Sequence, residues 1–325
     1  MTAFVTGGSG FLGRELIRAL VARGTPVRAL ARSAAAEDAV RALGAEPIAG
    51  DLHDDDALRR GLRGCDLAFH AAAHTREWGP ADVFERVTVR GTEHVLAAAA
   101  AAGVRRLIHV GSEAALLDGT PMVRVDERRP LPLQPLPLYP ASKAASEARV
   151  LAANGAGLET VVVRPRLIWG HGDTSLLPQL IGAVRDRRFR WIGGGRHLTS
   201  TCHVRNAVEG LLLAAEHGRA GEVYFVTDGA PVEFRDFLTR LLATQGVAME
   251  AGSVPRGLAT AIAILSEALW RRLPLRGAPP LTRMVVQLFG REVTIDDRKA
   301  RTELGYRGRV GIDEGLAEMT TARAA

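Results

Sequence analysis

The amino-acid sequence predicts an α/β protein built on a doubly wound parallel sheet. Three observations carry this. Five short apolar runs alternate with helical patterns before residue 111, which is the order that produces βα units. The first run passes directly into a glycine-rich turn that opens a helix. The chemically interesting residues fall just after the runs, and ligands of doubly wound folds bind beyond the carboxyl ends of the strands.

Ala3-Phe4-Val5 reads as the first buried strand. Thr6-Gly7-Gly8-Ser9-Gly10-Phe11-Leu12-Gly13 follows, and a helical pattern from Phe11 to Ala22 places Leu12, Leu16, Ile17 and Leu20 on one side. Gly7 suits a tight turn, Gly10 lets backbone approach a pyrophosphate, and Gly13 permits close helix–sheet packing. The helix start at Phe11 and Leu12 presents free N–H groups to an anion.

Val27-Arg28-Ala29-Leu30 is the second strand. An acid after it would accept from the ribose hydroxyls of NAD. Ala31-Arg32-Ser33 stand there instead. The charge and forked donors of Arg32 suit a 2′-phosphate, so NADP(H) is favoured over NAD(H). The alternative is a solvated surface arginine.

Ala34–Leu43 reads as a helix and Glu46–Ala49 as the third strand, followed by Asp51 and Leu52. Asp51 is expected at the adenine amino group; otherwise it is a turn acid. Leu67–His70 is the fourth strand, with His70 read as structural. Ala71, Ala72 and Ala73 are small enough for a cofactor to lie against them. Asp82–Ala102 reads as one long helix and Arg106–Val110 as the fifth strand, which Gly111 and Ser112 leave.

Tyr139-Pro140-Ala141-Ser142-Lys143 is the next stretch of interest. A tyrosine and a lysine four apart share a helix face, and proline fits the first turn. A nearby cation lowers the pKa of a phenol, which prepares it for general acid/base work. Of the 42 lysines and arginines only Lys143 and Lys299 are lysines. Lys143 departs from that habit where a compact ammonium serves better than a guanidinium fork.

The 325 residues, 47% apolar and 24% charged, fit a globular protein. The net charge of +6 is spread along the chain with acids interleaved, and aromatics make up only 5%. Nucleic-acid binding is therefore not expected. Cys65 and Cys202 stand far apart outside any metal spacing, so neither a disulfide framework nor a metal site is expected. No secretory signal is read at the start and no run reaches the length of a spanning helix; a cytoplasmic protein is expected.

With Thr6–Gly13, Ser112, Tyr139 and Lys143 in this order, the chain resembles the extended short-chain dehydrogenase/reductases of the epimerase/dehydratase superfamily. Val89-Arg90-Gly91-Thr92, Arg164-Pro165-Arg166-Leu167-Ile168-Trp169-Gly170 and His203-Val204-Arg205-Asn206 add to it. It looks most similar to the 3β-hydroxysteroid dehydrogenase-like branch and its bacterial ketoreductase relatives. The resemblance implies a Rossmann-type domain, residues 1–169 plus about 200–228, and a smaller, mostly helical substrate domain, about 170–199 plus 229–325. It implies Tyr139 as general acid/base and Lys143 as the group that tunes it and holds the nicotinamide ribose. Ser112 would orient the substrate oxygen, and Pro165 to Ile168 would border the nicotinamide. Homodimers through the 82–102 and 140–153 helices are common in such proteins. Two departures matter. Thr88 stands where the family often has Asn, and a single acid, Glu113, follows Ser112 where dehydratases carry a pair.

Past Gly170 the alternation fades. Leu176–Arg185, Asn206–Glu216 and Pro231–Gln245 read as helices, Phe189–Ile192 as strand-like, and Glu222–Val226 as a strand returning to the sheet. Arg185, Arg187, Arg188 and Arg190 suit either a nucleotide diphosphate or a solvated helix end. The apolar segments Leu258–Leu273 and Leu281–Phe289 suit a lipophilic pocket, a membrane surface with Arg271 and Arg272 at its edge, or the small-domain core. The sequence thus predicts an NAD(P)-dependent oxidoreductase interconverting a secondary alcohol and a ketone on a lipophilic, steroid-like or polyketide-like molecule, with at most peripheral membrane contact. The alternatives are a sugar-nucleotide epimerase with retained NAD and a non-catalytic NADP(H) sensor.

Overall fold

The computed structural model describes residues 1–155, 157–273 and 275–324; Ala325, the end of the expected second domain, lies outside them. Seven strands form the central sheet: β1 (Ala3–Thr6), β2 (Val27–Ala31), β3 (Glu46–Ala49), β4 (Leu67–His70), β5 (Arg106–Val110), β6 (Glu159–Pro165) and β7 (Val223–Val226). Their order is β7-β6-β5-β4-β1-β2-β3, with every neighbouring pair parallel. The winding reverses at β1, where Val5 pairs with Ala29 on one side and Phe69 on the other. That reversal makes a crevice at the carboxyl ends of the strands.

Both faces of the sheet are covered. Leu16, Ile17 and Leu20 from the Phe11–Ala22 helix join Leu211 and Ala214 in one core. Leu58, Val95 and Val150 join Phe4 and Leu107 in the other. The four-residue spacing that predicted the first helix is the spacing of its buried face.

Residues 82–102, expected as one α-helix, differ. An α-turn at Ala81–Phe84 and an α-helix at Gly91–Ala101 flank a π segment, Glu85–Arg90. The hydroxyls of Thr88 and Thr92 account for this locally. Thr92 Oγ1 donates to the Thr88 carbonyl at 2.6 Å, and Thr88 Oγ1 accepts from the His74 N–H at 3.0 Å. π segments of this kind frequently mark functional sites.

Ala300, Leu304 and Tyr306 stay in the core of the first body, while a second body packs around another sheet. Its four-stranded sheet runs Val232–Glu233, Leu198–Thr199, Val293–Ile295, Met122–Val125. The expected helix at 231–245 begins only at Phe234, because Val232 and Glu233 are used in this sheet. Trp169, Trp191, Phe234, Phe237 and Leu241 form its core, with the helices Leu176–Arg185, Phe234–Ala243 and Ile312–Ala324 around it.

Candidate active site

The glycine-rich turn is a cradle that side chains would fill. Gly7 has φ +72°, and a Cβ there would lie 2.8 Å from the Ala72 nitrogen and 2.9 Å from the Ala71 carbonyl carbon. A Cβ on Gly13 would lie 2.1 Å from the Gly7 carbonyl oxygen. Gly10 opens the helix with no side-chain cap, so the N–H groups at Phe11 and Leu12 face outward from a helix start, the arrangement that binds phosphate. The loop is drawn to β4 by Thr6, whose hydroxyl accepts from the Ala72 N–H at 3.3 Å. Ala71, Ala72 and Ala73 are half-buried beside it. These residues fit a dinucleotide pyrophosphate.

The other expected cofactor residues vary. Arg32 is exposed after β2. It lies near His74, whose pKa is lowered by burial and then by Arg76 and Arg32. The Asp51 carboxylate accepts from the His53 N–H at 2.8 Å, so here it acts as a turn acid. Leu52 is buried against Gly91. Pro165 ends β6 and is buried, while Ile168 begins a short strand paired with Cys202. Leu167 between them has φ +49°.

Ser112, Tyr139 and Lys143 are brought together beyond β5. The Tyr139–Ala152 helix packs on the short Glu113–Leu116 turn that Ser112 caps. Ser112 Oγ accepts from the Ala114 N–H at 3.1 Å and donates to Glu113 Oε2 at 2.8 Å. Tyr139 is half-buried against the apolar cluster that holds Leu116, Val125 and Leu288. Burial first and the Glu113 carboxylate second push its pKa up to about 12, and a hydrogen bond with Ser112 opposes the rise. This direction is the reverse of the one expected from a neighbouring cation.

The reason lies with Lys143. Its ammonium is buried and donates to the Val110 carbonyl at 2.6 Å. Burial lowers its pKa to about 8, against the pull of Glu147 one turn on. Glu147 is itself fully buried and paired with Arg164. Lys143 therefore stands over the end of β5 with its charge directed at backbone. Leu138, just before Tyr139, has φ +65° and ψ −113°. Leucine rarely adopts this, and such strain collects at functional sites.

One feature of the site is not legible in the sequence. Arg166 donates to Glu113 Oε1 at 2.8 Å with both side chains buried, and to Thr199 Oγ1 and the Leu288 carbonyl at 3.1 Å each. Burial lowers the Arg166 pKa while Glu113 opposes it. This ion pair ties Ser112 to the second body. Its two members stood in plain view, one as the lone acid after Ser112 and one inside Arg164-Pro165-Arg166, but 53 residues separate them.

Two further sequence candidates take structural places. His70 bridges Thr6 and Thr92 at 2.7 and 2.9 Å, and burial lowers its pKa to about 3. In the basic run, Arg188 pairs with Asp186 at 2.7 Å and Arg190 donates to the carbonyls of Arg187 and Phe189. Among the described residues no group of His, Cys, Asp and Glu is placed to hold a metal.

Residues 4–256 match the 3-beta hydroxysteroid dehydrogenase/isomerase family. The chain belongs to that family. Membership makes it an extended short-chain dehydrogenase/reductase, and an NAD(P)-dependent oxidoreductase of CH–OH groups. A 4-hydroxy-2-methyl-3-oxo-4-farnesyl-3,4-dihydroquinoline-1-oxide ketoreductase of Stigmatella aurantiaca is 57% identical over 322 residues, covering 99% of this chain and 96% of that protein. A 2-alkyl-3-oxoalkanoate reductase of Stenotrophomonas maltophilia is 37% identical over the full length of both. Among solved structures, a dTDP-glucose 4,6-dehydratase of Streptomyces venezuelae with bound NAD superposes with a TM-score of 0.78 at 26% identity, covering 99% of this chain and 96% of that one.

Proposed function

We propose that this family member interconverts a ketone and a secondary alcohol on a lipophilic substrate, using NADP(H). The observation that carries the reading is the meeting of Ser112 and Tyr139 beyond β5, with the Tyr139 phenol held protonated. A protonated phenol is ready to donate to a ketone oxygen, so reduction is the favoured direction. Ser112 would hold that oxygen, its own hydroxyl oriented by the cap at Ala114 and by Glu113. Lys143 would meet the ribose and return the phenol's proton. The bound nicotinamide supplies the hydride; the chain orients and handles protons.

The two relatives support a substrate whose ketone sits on a large apolar body, a prenylated ring system or an alkyl chain. Arg32 supports NADP(H) through its charge and exposure after β2. The epimerase reading draws little support from the arginine run, whose side chains pair locally. A homodimer through the outer faces of the helices at 81–101 and 139–152 belongs to the same proposal.

Two variants test it. Tyr139→Phe should lower ketone-dependent NADPH oxidation by about 10²–10⁴-fold and leave NADPH binding intact; full activity removes Tyr139 from the mechanism. Arg32→Ser should weaken NADPH binding about tenfold or more and spare NADH; equal losses would assign Arg32 to the surface.

A further inference from the structure

The helix Arg256–Arg272 has its polarity turned inside out. It buries Ala259, Ala263, Ser266 and Glu267. Ser266 Oγ donates to the Leu281 carbonyl at 2.8 Å. The Glu267 carboxylate accepts from the Arg283 N–H at 2.7 Å and the Arg283 Nε at 2.8 Å, and pairs with Arg271 at 3.3 Å. The large apolar side chains point outward: Leu258, Ile262, Leu265 and Leu269 are 54%, 38%, 70% and 45% exposed. Their spacing makes one continuous stripe along the helix, and Leu273 continues it, 47% exposed. A surface helix in water ordinarily shows the opposite arrangement, and a contiguous apolar patch of this kind marks a binding surface.

Charge says what covers it. Residues 251–291 contain six arginines and one acid, Glu267. That acid is turned inward, so the outer surface of the segment is wholly cationic. Arg256 opens the helix and Arg271, Arg272 and Arg276 close it, all exposed. An apolar stripe edged by guanidinium groups suits the headgroup–acyl boundary of an anionic bilayer. A second copy of the chain would face like charge with like across a self-complementary contact.

We propose that this helix docks the protein on an anionic lipid surface, with Leu258, Ile262, Leu265 and Leu269 in the acyl boundary. The buried face of the helix is linked to the candidate site through packed neighbours. The helix packs on Arg283–Phe289, and the Leu288 carbonyl in that segment accepts from Arg166, the partner of Glu113. The docking does not rest on the proposed substrate class.

Vesicle sedimentation with the full-length protein tests it. The protein should bind phosphatidylcholine vesicles containing phosphatidylglycerol, and raised salt should release it. Ile262→Gln with Leu265→Gln should weaken partitioning about tenfold or more, and Arg272→Gln with Arg276→Gln about tenfold. Both variants should keep the wild-type melting temperature and lipid-free turnover of a water-soluble ketone. A wild type that binds vesicles but turns over no ketone would defeat the proposed function and leave docking standing. Docking is overturned by an absence of vesicle binding, by binding indifferent to phosphatidylglycerol, or by equal partitioning of wild type and the Ile262/Leu265 variant. Lipid-free self-association lost in that variant would also overturn it, because a second copy would then cover the stripe.

Discussion

Lys143 and Tyr139 are both displaced from their ordinary ionisation, in opposite senses. Burial lowers the lysine to about 8 and raises the tyrosine to about 12. Below about pH 8 Lys143 carries its ammonium, and above it the charge is lost. Tyr139 keeps its proton through the same window. The kcat/KM for NADPH, which reports the free enzyme, should therefore fall as pH rises through about 8. Lys143→Arg stays charged and should flatten that limb whatever its absolute rate. An unchanged limb in the variant would assign the titration to another group. Behind these two residues the buried Glu113–Arg166 and Glu147–Arg164 pairs fix the surroundings. Removing one member of such a pair leaves an uncompensated buried charge, so the sites are expected to tolerate only paired changes.

At the scale of elements, the strand–turn–helix opening is the least forgiving. A methyl on Gly13 would sit 2.1 Å from the Gly7 carbonyl oxygen, so the loop must move. Gly13→Ala should weaken nucleotide binding at least about tenfold and destabilise the fold by about 1–3 kcal/mol. Gly182, inside the Leu176–Arg185 helix, has open space where a Cβ would point, and Gly182→Ala should stabilise by up to about 1 kcal/mol. Calorimetry and nucleotide titration on the pair check both; matching effects would show that the Gly13 contact relaxes freely. Such a loop is legible in sequence because its demands are local: a positive φ, a close approach, a helix start. The strands β1 to β5 and the first helix were legible for the same reason. The π segment was not, because it depends on where Thr88 finds the His74 N–H. Nor was the outward face of Arg256–Arg272, whose apolar periodicity reads identically whether the stripe turns in or out. Only Glu267, drawn inward by Arg283, tells them apart.

At the scale of the whole molecule, burial of neutral histidines sets the response to acid. His70 and His203 are lowered by burial to about 3 and about 4. In the unfolded chain both take protons near 6.5, while the native protein stays neutral until the lower values. Between those limits the unfolded state binds more protons, so the stability these two histidines contribute is complete above about 6.5 and is lost as pH falls toward 3. Thermal melting at successive pH values should show that decline. His203→Asn keeps an acceptor for the Arg205 N–H, which His203 Nδ1 takes at 3.3 Å, yet cannot titrate. Its decline should be shallower by close to one proton; overlapping curves would remove His203 from the account. The site's tertiary half was hidden in the sequence at this scale too. Glu113 meets Arg166 across 53 residues, and Arg166 meets Leu288 across 122.

The strand Met122–Val125 has a bearing on how the protein is made. It leaves the chain between Ser112 and Tyr139 but runs parallel to Val293–Ile295, with the Arg124 N–H donating to Thr294 Oγ1 at 2.8 Å across 170 residues. Domains fold from the amino-terminal end during synthesis, and long-range pairings close late. The nucleotide cradle, whose helix packs on Leu211 and Ala214, can thus form before the residues near 295 have left the ribosome. The segment that carries Ser112 toward Tyr139 has to wait for residues near 295. A nascent chain passes through a stage at which it has a place for the cofactor and no settled place for the chemistry.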